Sequence, residues 1–536
     1  MTSGRHIVTF EPIGVRVEVT AGTTVRDAAA AAGVPVAAPC GGLGTCGRCT
    51  VTVRGVVEPP TTDELTLLAG DRIAMGVRLA CRVRISGDVA VTLAESGAPE
   101  GIRVVDAASA VATVVEPPAL RGIEAAGPLL GAAVDIGTTT LAVRLVDLRT
   151  GASLGSASAL NPQHVFGHDV MSRISAASAS GVEALQRPLA AAIESLLAGL
   201  LDSREQSAGA LREIALCGNP TMVHLALGID PSPLGEAPYE PRLKGSVTQT
   251  AAAAGLDAFA PALLYVLPGI SAFVGADVVA GVLATEIDRA DGIRMLLDLG
   301  TNGEIVLRTP NGMLATSAAA GPALEGATIS AGMFATDGAV ERVELAGDGL
   351  AIGVIGGPPA RGLCGSGLLD LIAALLDAGI MDASGRIRED AAHALATRVS
   401  ETDGVRVFEV APGVSLTQHD VRQVQLAIAA FAAGIGELLD AAGVGADDVA
   451  ELVVAGGFGL HVGAHALARM GVIPRAWVGI ARFAGNTALA GTAMALLDSD
   501  ARRRADAVAH HTQTIDLATR ATFQTRFIGA MTFPQS

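Results

Sequence analysis

The sequence predicts a multidomain protein of the α+β and α/β classes, with a small β-rich domain followed by two larger α/β lobes. Three observations support this fold class. Alternating apolar and polar residues run through much of the first 92 residues, as in half-buried strands. A strand–Asp–x–Gly–Thr–turn–strand pattern occurs near residue 131 and again near residue 294, which indicates an internal duplication. Strands alternate with Ala-rich helices through the rest of the chain.

The predicted first domain covers residues 1–92. Its opening segments "HIVTF" and "VRVEV" are strands joined by the turn "EPIG". The segment "TTVRDAAAAAG" predicts a helix with a threonine N-cap and a glycine stop. Three further strands, "TVTVRG", "CRVRI" and "VAVTL", are expected after a glycine-rich stretch.

Residues 93–128 are rich in small residues, Pro and Gly, and predict a linker. The two lobes are then expected at 129–290 and 291–536. Within them, "GADVVAGVLAT" and "GNTALAGTAMALL" predict helices whose small residues permit close helix–helix approach. Between these helices in the chain, "AELVVAGGFG" predicts a buried strand that ends in a Gly-Gly turn.

Composition narrows the function classes. The chain has 536 residues, a net charge of −17 and 50% hydrophobic residues. A basic face is needed to neutralise phosphates, so nucleic acid is not the expected main partner. The sequence contains no uninterrupted apolar run of membrane-spanning length, and "MTSGRHIVTFEP" lacks a signal-peptide core. We therefore expect a cytoplasmic protein with no membrane partner.

Three cysteines lie within "PCGGLGTCGRCT", and a fourth follows 32 positions later. Cys40, Cys46, Cys49 and Cys81 give the spacing C-x5-C-x2-C…C. Four thiolates can bind either zinc or an iron–sulfur cluster, and a turn-rich loop with buried or disulfide-bonded thiols is a third possibility. Zinc sites favour two C-x2-C pairs, whereas three ligands in one glycine-rich loop and one apart favour a [2Fe–2S] cluster.

This segment resembles the β-grasp ferredoxins over nearly all of residues 1–92. Its spacing departs from the plant-type C-x4-C-x2-C by one residue and is similar to that of the adrenodoxin-like branch. The resemblance implies one-electron chemistry at low potential, with the four cysteines as cluster ligands.

The repeated turns are "VDIGTTT" at 134–140 and "DLGTNGE" at 298–304. Each places an Asp at the end of an apolar strand, followed by Gly and hydroxyl residues. Such a turn directs backbone amides and hydroxyls at an anion, and its Asp can hold Mg²⁺, usually through water. One such turn is weak evidence because Asp-Gly turns are common hairpin connectors. Two copies facing each other would clamp a polyphosphate.

The five ordered segments together resemble the phosphate 1, connect 1, phosphate 2, adenosine and connect 2 motifs of the sugar kinase/Hsp70/actin ATPase superfamily, whose lobes have an RNase H-like fold. The resemblance implies ATP with Mg²⁺ as ligand. It assigns Asp135, Gly137, Thr138 and Thr139 to phosphate 1, Asp298, Gly300, Thr301 and Asn302 to phosphate 2, and Gly456 and Gly457 to the adenosine. Asp277 is then a candidate for positioning the attacking water, with Glu304 as the alternative.

The whole chain is similar to the reductive activators of corrinoid-dependent methyltransferases. The matching segments include "NPQHVFGHDVMSRI", "CGNPTMVHLALGIDP", "AAAGPALEGATISAGM", "GLCGSGLLD" and "FQTRFIGAMTFP". The resemblance implies ATP-dependent transfer of one electron from the cluster to an inactive Co(II) corrinoid. It also implies a corrinoid methyltransferase protein and an upstream electron donor as partners, and a homodimer is considered.

Alternative functions remain at this point. They are an ATP-gated electron donor to another enzyme, a redox-sensing kinase or hydrolase, and a carrier whose lobes only sense nucleotide. His224 is either a cobalt contact or a packed core histidine, and the latter is favoured. Cys217 and Cys364 have no partner at ligand spacing and are expected to be buried, inert thiols.

Overall fold

A computed structural model describes residues 5–11, 14–32, 34, 36, 49–68, 70–93, 117, 127–326, 328–402, 404–456 and 462–535. Most of the predicted linker, along with Cys40, Cys46 and Gly457, lies outside the described residues. The chain divides into two compact units. The first comprises residues 1–100 with 160–189, and the second comprises 101–159 with 190–536.

The N-terminal part of the first unit is a five-stranded mixed sheet with the strand order β2-β1-β5-β3-β4. Its elements are β1 (Arg5–Glu11), β2 (Val15–Thr20), α1 (Val25–Ala31), β3 (Thr50–Val57), α2 (Thr62–Leu67), α3 (Gly70–Ala74), β4 (Val77–Leu79) and β5 (Ile85–Leu93). β1 pairs antiparallel with β2 and parallel with β5. The Thr24 hydroxyl accepts the Asp27 N–H and caps α1, which confirms the predicted helix start.

The expected strand "CRVRI" is wrong. β4 ends at Leu79 and β5 begins at Ile85, so the segment between them is a turn. The N–H groups of Arg82 and Val83 both donate to the Leu79 carbonyl, at 2.8 and 2.9 Å, which closes the backbone on itself. Apolar residues alternate there because Cys81, Val83 and Ile85 are buried, although the first two lie in a turn and not in a strand. As a result, Cys81 lies in a turn at the end of the short strand β4.

In the first half of the ATPase-like region, a six-stranded sheet has the order β10-β11-β9-β6-β7-β8. The elements from this part of the chain are β6 (Leu130–Ile136), β7 (Thr140–Asp147), β8 (Ser153–Leu160), α4 (Val170–Ser180), α5 (Val182–Asp202), β9 (Leu211–Gly218), α6 (Pro220–Ala226), β10 (Val247–Thr250), β11 (Leu263–Val266) and α7 (Ala276–Thr285).

A second six-stranded sheet follows, with the order β22-β21-β12-β13-β14-β23, and two three-stranded sheets accompany it. The elements are β12 (Ile293–Leu299), β13 (Gly303–Thr309), β14 (Gly312–Ala318), β15 (Ala339–Ala346), β16 (Gly349–Val354), β17 (Gly362–Leu363), α8 (Gly365–Asp377), β18 (Val399–Thr402), β19 (Val405–Ala411), β20 (Val414–Thr417), α9 (Gln418–Ala442), β21 (Val449–Ala455), α10 (Ala464–Met470), β22 (Ala481–Gly485), α11 (Thr487–Leu497), α12 (Ser499–His511), β23 (Thr512–Thr514) and α13 (Phe523–Ala530).

The two six-stranded sheets repeat one topology. In the first, β8-β7-β6-β9-β11 are neighbours, and in the second β14-β13-β12-β21-β22 occupy the same places. In each sheet an antiparallel three-stranded meander continues into parallel strands. The first strand of each meander, β6 or β12, lies next to the parallel strands and carries the Asp of the repeated pattern. The duplication predicted from the sequence is therefore present in the fold.

Helices α7 and α11 pack closely, as their small residues predict. A Cβ atom at Gly491 of α11 would lie 1.8 Å from the Ala280 carbonyl oxygen of α7, so only glycine fits there. α11 also packs on the first sheet, because Leu489 and Ala493 form a buried cluster with Ala133 and Ala142. This helix pair lies directly beside the strands that carry the repeated turns.

Two of the described helices, α5 and α9, are long and apolar enough to span a membrane by length and composition alone. Such a match is weak evidence, because core helices of water-soluble proteins also satisfy it. In α9, 72% of the most apolar window is buried inside the protein. In α5, Leu185, Leu189 and Leu197 are buried at the spacing of one helix face.

Candidate functional site

A cavity of about 920 Å³ lies where the two repeated turns meet. Its volume is within the range of small-molecule and cofactor sites. The predicted site residues that line it are Asp135, Gly137, Thr138, Thr139, Asp277, Asp298, Gly300, Thr301, Asn302, Glu304 and Gly456. The structure thus brings together every predicted nucleotide-site residue that it describes.

The first turn follows strand β6. The Gly137 N–H donates to the Thr140 carbonyl at 2.9 Å and closes the hairpin between β6 and β7. A Cβ atom at Gly137 would lie 2.7 Å from that same carbonyl oxygen, so a side chain would force the turn open. The two following residues, Thr138 and Thr139, then line the cavity.

The second turn lies opposite the first. The hydroxyl oxygens of Thr139 and Thr301 are 3.3 Å apart, although the residues are 162 positions apart in the chain. Both turns therefore present hydroxyl groups to one small volume. This is the geometry expected of a clamp for a polyphosphate.

Glu325 was not predicted from the sequence and bridges the two turns. Its carboxylate accepts the Thr139 hydroxyl at 2.5 Å and the Thr301 hydroxyl at 2.8 Å. It also lines the cavity. No local pattern marks this residue, since its partners are 186 and 24 positions away.

Two asparagines missed by the sequence analysis support the first turn. The Asn219 side-chain amide donates to the Thr138 hydroxyl at 2.9 Å, and that of Asn486 donates to the Asp135 carboxylate at 2.8 Å. Each asparagine also caps a helix: Asn219 precedes α6 and Asn486 precedes α11. In the sequence, an Asn just before a helix predicts an N-cap. It does not predict that the same side chain also donates a hydrogen bond to the first turn.

Gly456 ends strand β21 beside the second turn, with φ at +115°. A Cβ atom there would lie 2.3 Å from the Leu299 carbonyl oxygen and 3.2 Å from the Asp298 carboxylate. Glycine is therefore required both by backbone conformation and by close approach.

The carboxyl groups in the cavity hold their protons unusually tightly. Burial raises the pKa of Asp135 to about 6, and burial together with neighbouring carboxylates raises those of Asp277 and Asp298 to about 7. Burial and the same carboxylates raise the pKa of Glu304 well above its ordinary value. Concentrated carboxyl groups of this kind suit a divalent cation, whose charge would favour their ionised forms.

No group of three or more His, Cys, Asp or Glu residues has direct metal-binding geometry in the part of the chain that the structure describes. A cation between these carboxylates would therefore be held partly through water, as Mg²⁺ usually is.

Of the four predicted cluster cysteines, the structure describes Cys49 and Cys81. Their Sγ atoms are 3.3 Å apart, well beyond the ~2.05 Å of a disulfide bond. Both are buried in the N-terminal core, and the Ala80 N–H donates to the Cys49 carbonyl at 2.8 Å. Two thiols converging on one point fit two ligands of a single iron–sulfur group.

A buried ion pair holds the segment that leads to Cys81. Arg78 donates to the fully buried Glu64 carboxylate through Nε at 2.8 Å and Nη2 at 2.9 Å. The Leu79 N–H donates to the same carboxylate at 3.0 Å. These bonds orient β4, and they lower the pKa of Glu64 against the effect of burial.

His224 is a packed histidine, as favoured from the sequence. Its Nδ1 donates to the Pro220 carbonyl at 2.7 Å, and its Nε2 accepts the Arg242 N–H at 3.1 Å. Burial lowers its pKa. With both nitrogens occupied within the protein, it has no nitrogen left for cobalt. Cys217 and Cys364 are also buried, and their thiols contact backbone carbonyls of Ala488 and Val340.

Comparison with known families and structures agrees with this geometry. Residues 8–86 match the 2Fe-2S iron-sulfur cluster binding domain, residues 130–290 the RACo middle region, and residues 292–536 the C-terminal domain of RACo, the ASKHA domain. The predicted fold class is thereby confirmed, as are the cluster and ATP as cofactors.

Two curated relatives are similar over most of the chain. The corrinoid activation enzyme RamQ of Eubacterium limosum is 34% identical over 411 residues, covering 74% of this chain and 69% of that protein. A reductase of the Co(II) methylated amine-specific corrinoid protein from Methanosarcina barkeri is 25% identical over 393 residues, covering 68% and 69%.

A solved structure, the reductive activator for corrinoid, iron-sulfur protein, superposes with a TM-score of 0.72 at 28% identity and covers 99% of this chain and 98% of that one. The chain therefore belongs to the family of RACo-type corrinoid activation enzymes.

Proposed function

We propose that this protein is an ATP-hydrolysing iron–sulfur activase that reduces an inactive Co(II) corrinoid protein to its Co(I) state, so that a methyltransferase can resume turnover. The observation that carries this conclusion is the presence of two sites in one chain. One site has two thiols that converge as cluster ligands would, and the other is a cavity with a phosphate-binding turn on each side. The similar proteins are named for corrinoid activation and for reduction of a Co(II) corrinoid protein.

The cluster ligands in this proposal are Cys40, Cys46, Cys49 and Cys81. A [2Fe–2S] cluster bound there would supply a one-electron carrier of low potential, and the plant-type ferredoxins, with a related spacing, lie near roughly −400 mV. Burial of Cys49 and Cys81 keeps water from that side of the site. A cluster held there would pass its electron to the Co(II) substrate and would be reduced again by an upstream donor protein.

The nucleotide is assigned to the cavity between the turns. Hydroxyls of Thr138, Thr139 and Thr301 donate to phosphate oxygens, and Asp135 and Asp298 hold Mg²⁺ through water. Amides of Gly300 and Asn302 support the phosphates, Gly137 keeps the first turn tight through its N–H bond to the Thr140 carbonyl, and Gly456 and Gly457 underlie the adenosine.

We assign to Asp277, and not to Glu304, the role of positioning the attacking water and accepting its proton. A group that must accept a proton has to be ionised at neutral pH. Glu304 accepts a hydrogen bond from Ser317 at 3.2 Å, but burial and the neighbouring carboxylates raise its pKa well above the ordinary value, which disfavours its proton-accepting form. Asp277 has a pKa of about 7 without a cation, and nearby Mg²⁺ would lower it into the useful range.

Organisation and partners complete the proposal. We assign residues 1–92 to the ferredoxin domain, 93–128 to a linker, 129–290 to the first ATPase lobe and 291–536 to the second. The partner is a corrinoid methyltransferase protein in the cytoplasm, with no nucleic acid or membrane involved. A homodimer is the proposed assembly.

The test separates the two sites. Cys81→Ser should lose the paramagnetic signal of the reduced [2Fe–2S] cluster and form no Co(I), but should bind MgATP as the wild type does. Cys364→Ser, another buried cysteine, is the control and should retain the cluster signal. Co(I) formation by Cys81→Ser at the wild-type rate would contradict the proposal. A [4Fe–4S] signal would instead indicate a different class of ATP-driven electron donor.

A further inference from the structure

Glu325 ends a short helical turn, Pro322–Glu325, within the segment "AAAGPALEGATISAGM". That segment (residues 318–333) is none of the five ATPase motifs, and the proposed function has given it no role. It nevertheless places a carboxylate in the lining of the nucleotide cavity, against both turns.

The Glu325 carboxylate takes one hydroxyl from each turn. Oε2 accepts from Thr139 at 2.5 Å, and Oε1 accepts from Thr301 at 2.8 Å. The two hydroxyl oxygens are themselves 3.3 Å apart. An anion is therefore already bound by the hydroxyls expected to hold phosphate, and this anion belongs to the protein.

We propose that Glu325 occupies the place of the nucleotide's terminal phosphate and determines which nucleotide enters, because MgATP must displace its carboxylate from Thr139 and Thr301. This inference rests on the proposed assignment of the cavity to MgATP. It identifies Glu325 as the residue that distinguishes a bound nucleotide with a terminal phosphate from one without it.

Competition follows from the chemistry of the groups. A threonine hydroxyl has a single proton to donate, so Thr139 and Thr301 cannot donate to Glu325 and to phosphate together. A phosphate and a carboxylate also repel each other strongly in a partly buried site. The presence of the terminal phosphate and the Glu325 contact are therefore mutually exclusive.

The backbone after Glu325 packs closely against the backbone at Met333 and Leu363. A Cβ atom at Gly326 would lie 3.1 Å from the Met333 carbonyl oxygen and 3.2 Å from that of Leu363, and one at Gly332 would lie 1.9 Å from the Gly326 carbonyl oxygen. Because these backbones are in contact, a shift at Glu325 must move the chain around Met333 and Leu363.

Hydrogen bonds continue this connection to helix α8. The Met333 N–H donates to the Leu363 carbonyl at 2.9 Å, and the Leu363 N–H donates to the Ala331 carbonyl at 2.8 Å. The next residue, Cys364, is the N-cap of α8. The segment "GLCGSGLLD", which was also unassigned, is therefore coupled to the position of Glu325.

Within the segment, Ser330 is bonded to helix α9. The Ser330 N–H and hydroxyl both donate to Asp420 Oδ1, at 2.7 and 3.0 Å, and Asp420 belongs to the long core helix α9. Displacement of Glu325 is thus expected to bend the chain between Glu325 and Ser330 without moving α9.

The experiment measures the Kd of a non-hydrolysable MgATP analogue and of MgADP by calorimetry. The proteins compared are the wild type, Glu325→Ala and Glu325→Gln, without any corrinoid partner. Glu344→Ala is the matched control, because its carboxylate is 66% exposed on β15 and contacts only Arg342 among charged partners in the described chain.

Removing the competitor should tighten binding. Glu325→Ala is expected to lower the Kd of the ATP analogue by about tenfold, since two hydrogen bonds to a charged group no longer have to be broken. The effect on MgADP should be smaller, and Glu325→Gln should lie between wild type and Glu325→Ala. Glu344→Ala should match the wild type.

A second readout is amide hydrogen exchange in residues 328–333. The analogue should raise exchange there in the wild type, and Glu325→Ala should show the raised level without nucleotide. Weaker analogue binding by Glu325→Ala would overturn the inference and make Glu325 a ligand of the nucleotide or its cation. Unchanged binding with lost hydrolysis would overturn it in favour of a direct role in catalysis. Since no electron transfer is measured, the outcome is independent of corrinoid reduction.

Discussion

The hairpins β6–β7 and β12–β13 have the same sequence pattern and the same place in their sheets, but they have different neighbours. At the first, Asp135 lies opposite Ala142 in the strand pairing and receives a hydrogen bond from the neutral amide of Asn486. At the second, Asp298 lies opposite Glu304, and no amide donor to its carboxylate is found among the described residues.

This difference concentrates negative charge at the second turn. Burial raises the pKa of Asp298, and the carboxylates of Asp277, Asp135 and Glu325 raise it further, whereas hydrogen bonds from Asn486 and Cys217 oppose the effect of burial on Asp135. A duplicated fold has thus diverged into one side whose aspartate accepts an amide hydrogen bond and one side where several carboxyl groups lie together. We expect Mg²⁺ between the two aspartates and the reacting phosphate at the side with several carboxyl groups.

The largest expected effect comes from the two aspartates. Asp298→Ala should lower kcat for ATP hydrolysis by at least ~100-fold, because it removes charge stabilisation from the reacting end. Asp135→Ala should lower it by about tenfold. Both are measured as phosphate release, with the visible spectrum of the cluster as a control for folding. If Asp298→Ala hydrolysed ATP as fast as the wild type, the second turn would not be a phosphate-binding site.

The next comparison concerns the acids beside the second turn. Asp277→Asn should lower kcat by roughly 100-fold or more, as loss of a general base does. Glu304→Gln should lower it by less than about threefold, because the glutamine side chain keeps an oxygen that accepts the Ser317 hydrogen bond. A reversed order of the two effects would make Glu304 the group that positions water.

The helices that flank the turns offer a test of packing. Gly491→Ala should destabilise the protein by about 2–3 kcal/mol, because its Cβ would collide with the Ala280 carbonyl. Gly281→Ala on α7 should cost less, since the nearest atom is the Thr487 hydroxyl at 3.1 Å.

The control for both is Gly199→Ala on α5, where no atom lies within 4 Å of the new Cβ. It should gain about 0.5–1 kcal/mol, as alanine does over glycine in a helix. Denaturant unfolding measures all three variants. A Gly491→Ala protein as stable as Gly199→Ala would show that α7 and α11 are not packed at this point.

The smallest expected effect is on the pH dependence of stability. Asp298 has a pKa of about 7 in the folded protein, above its ordinary value of 3.8, so the folded state binds more protons than the unfolded state between these values. The free energy of unfolding of the metal-free protein should therefore fall as pH rises from about 4 to 7.

Asp298→Asn should show a shallower dependence over the same range, and MgADP should flatten that of the wild type because a cation replaces the protons. Denaturant midpoints measured in chelator at several pH values provide the test. A wild-type protein that gains stability relative to Asp298→Asn as pH rises would contradict the assigned burial of this carboxyl.

The features that sequence reasoning predicted well are local. Each Asp–x–Gly–Thr turn is contained in one hairpin, so a strand pattern and a glycine suffice to place Asp135 and Asp298 at strand ends. The helices α7 and α11 were likewise predictable from their small residues. The cysteine spacing likewise predicted a cluster site. The structure describes two of its four cysteines, Cys49 and Cys81, while Cys40 and Cys46 lie outside the described residues.

The features that it missed depend on long-range contacts. Glu325 meets Thr139 only after the two halves of the fold come together, and Asn486 meets Asp135 across 351 positions. The expected strand at Cys81 failed for a related reason. Apolar residues at alternate positions mark burial on one face, and a tight turn over a core buries Cys81 and Val83 as effectively as a strand does.

The most direct test of the central claim is formation of Co(I) under anaerobic conditions. The reduced protein is mixed with a Co(II) corrinoid protein from the same cell, with and without MgATP, and the Co(I) absorption band is followed. We predict rapid Co(I) formation that requires both MgATP and the cluster and is lost in Asp298→Ala and Cys81→Ser. Co(I) formation at the same rate without MgATP, or none with an intact cluster and active ATPase, would contradict the account.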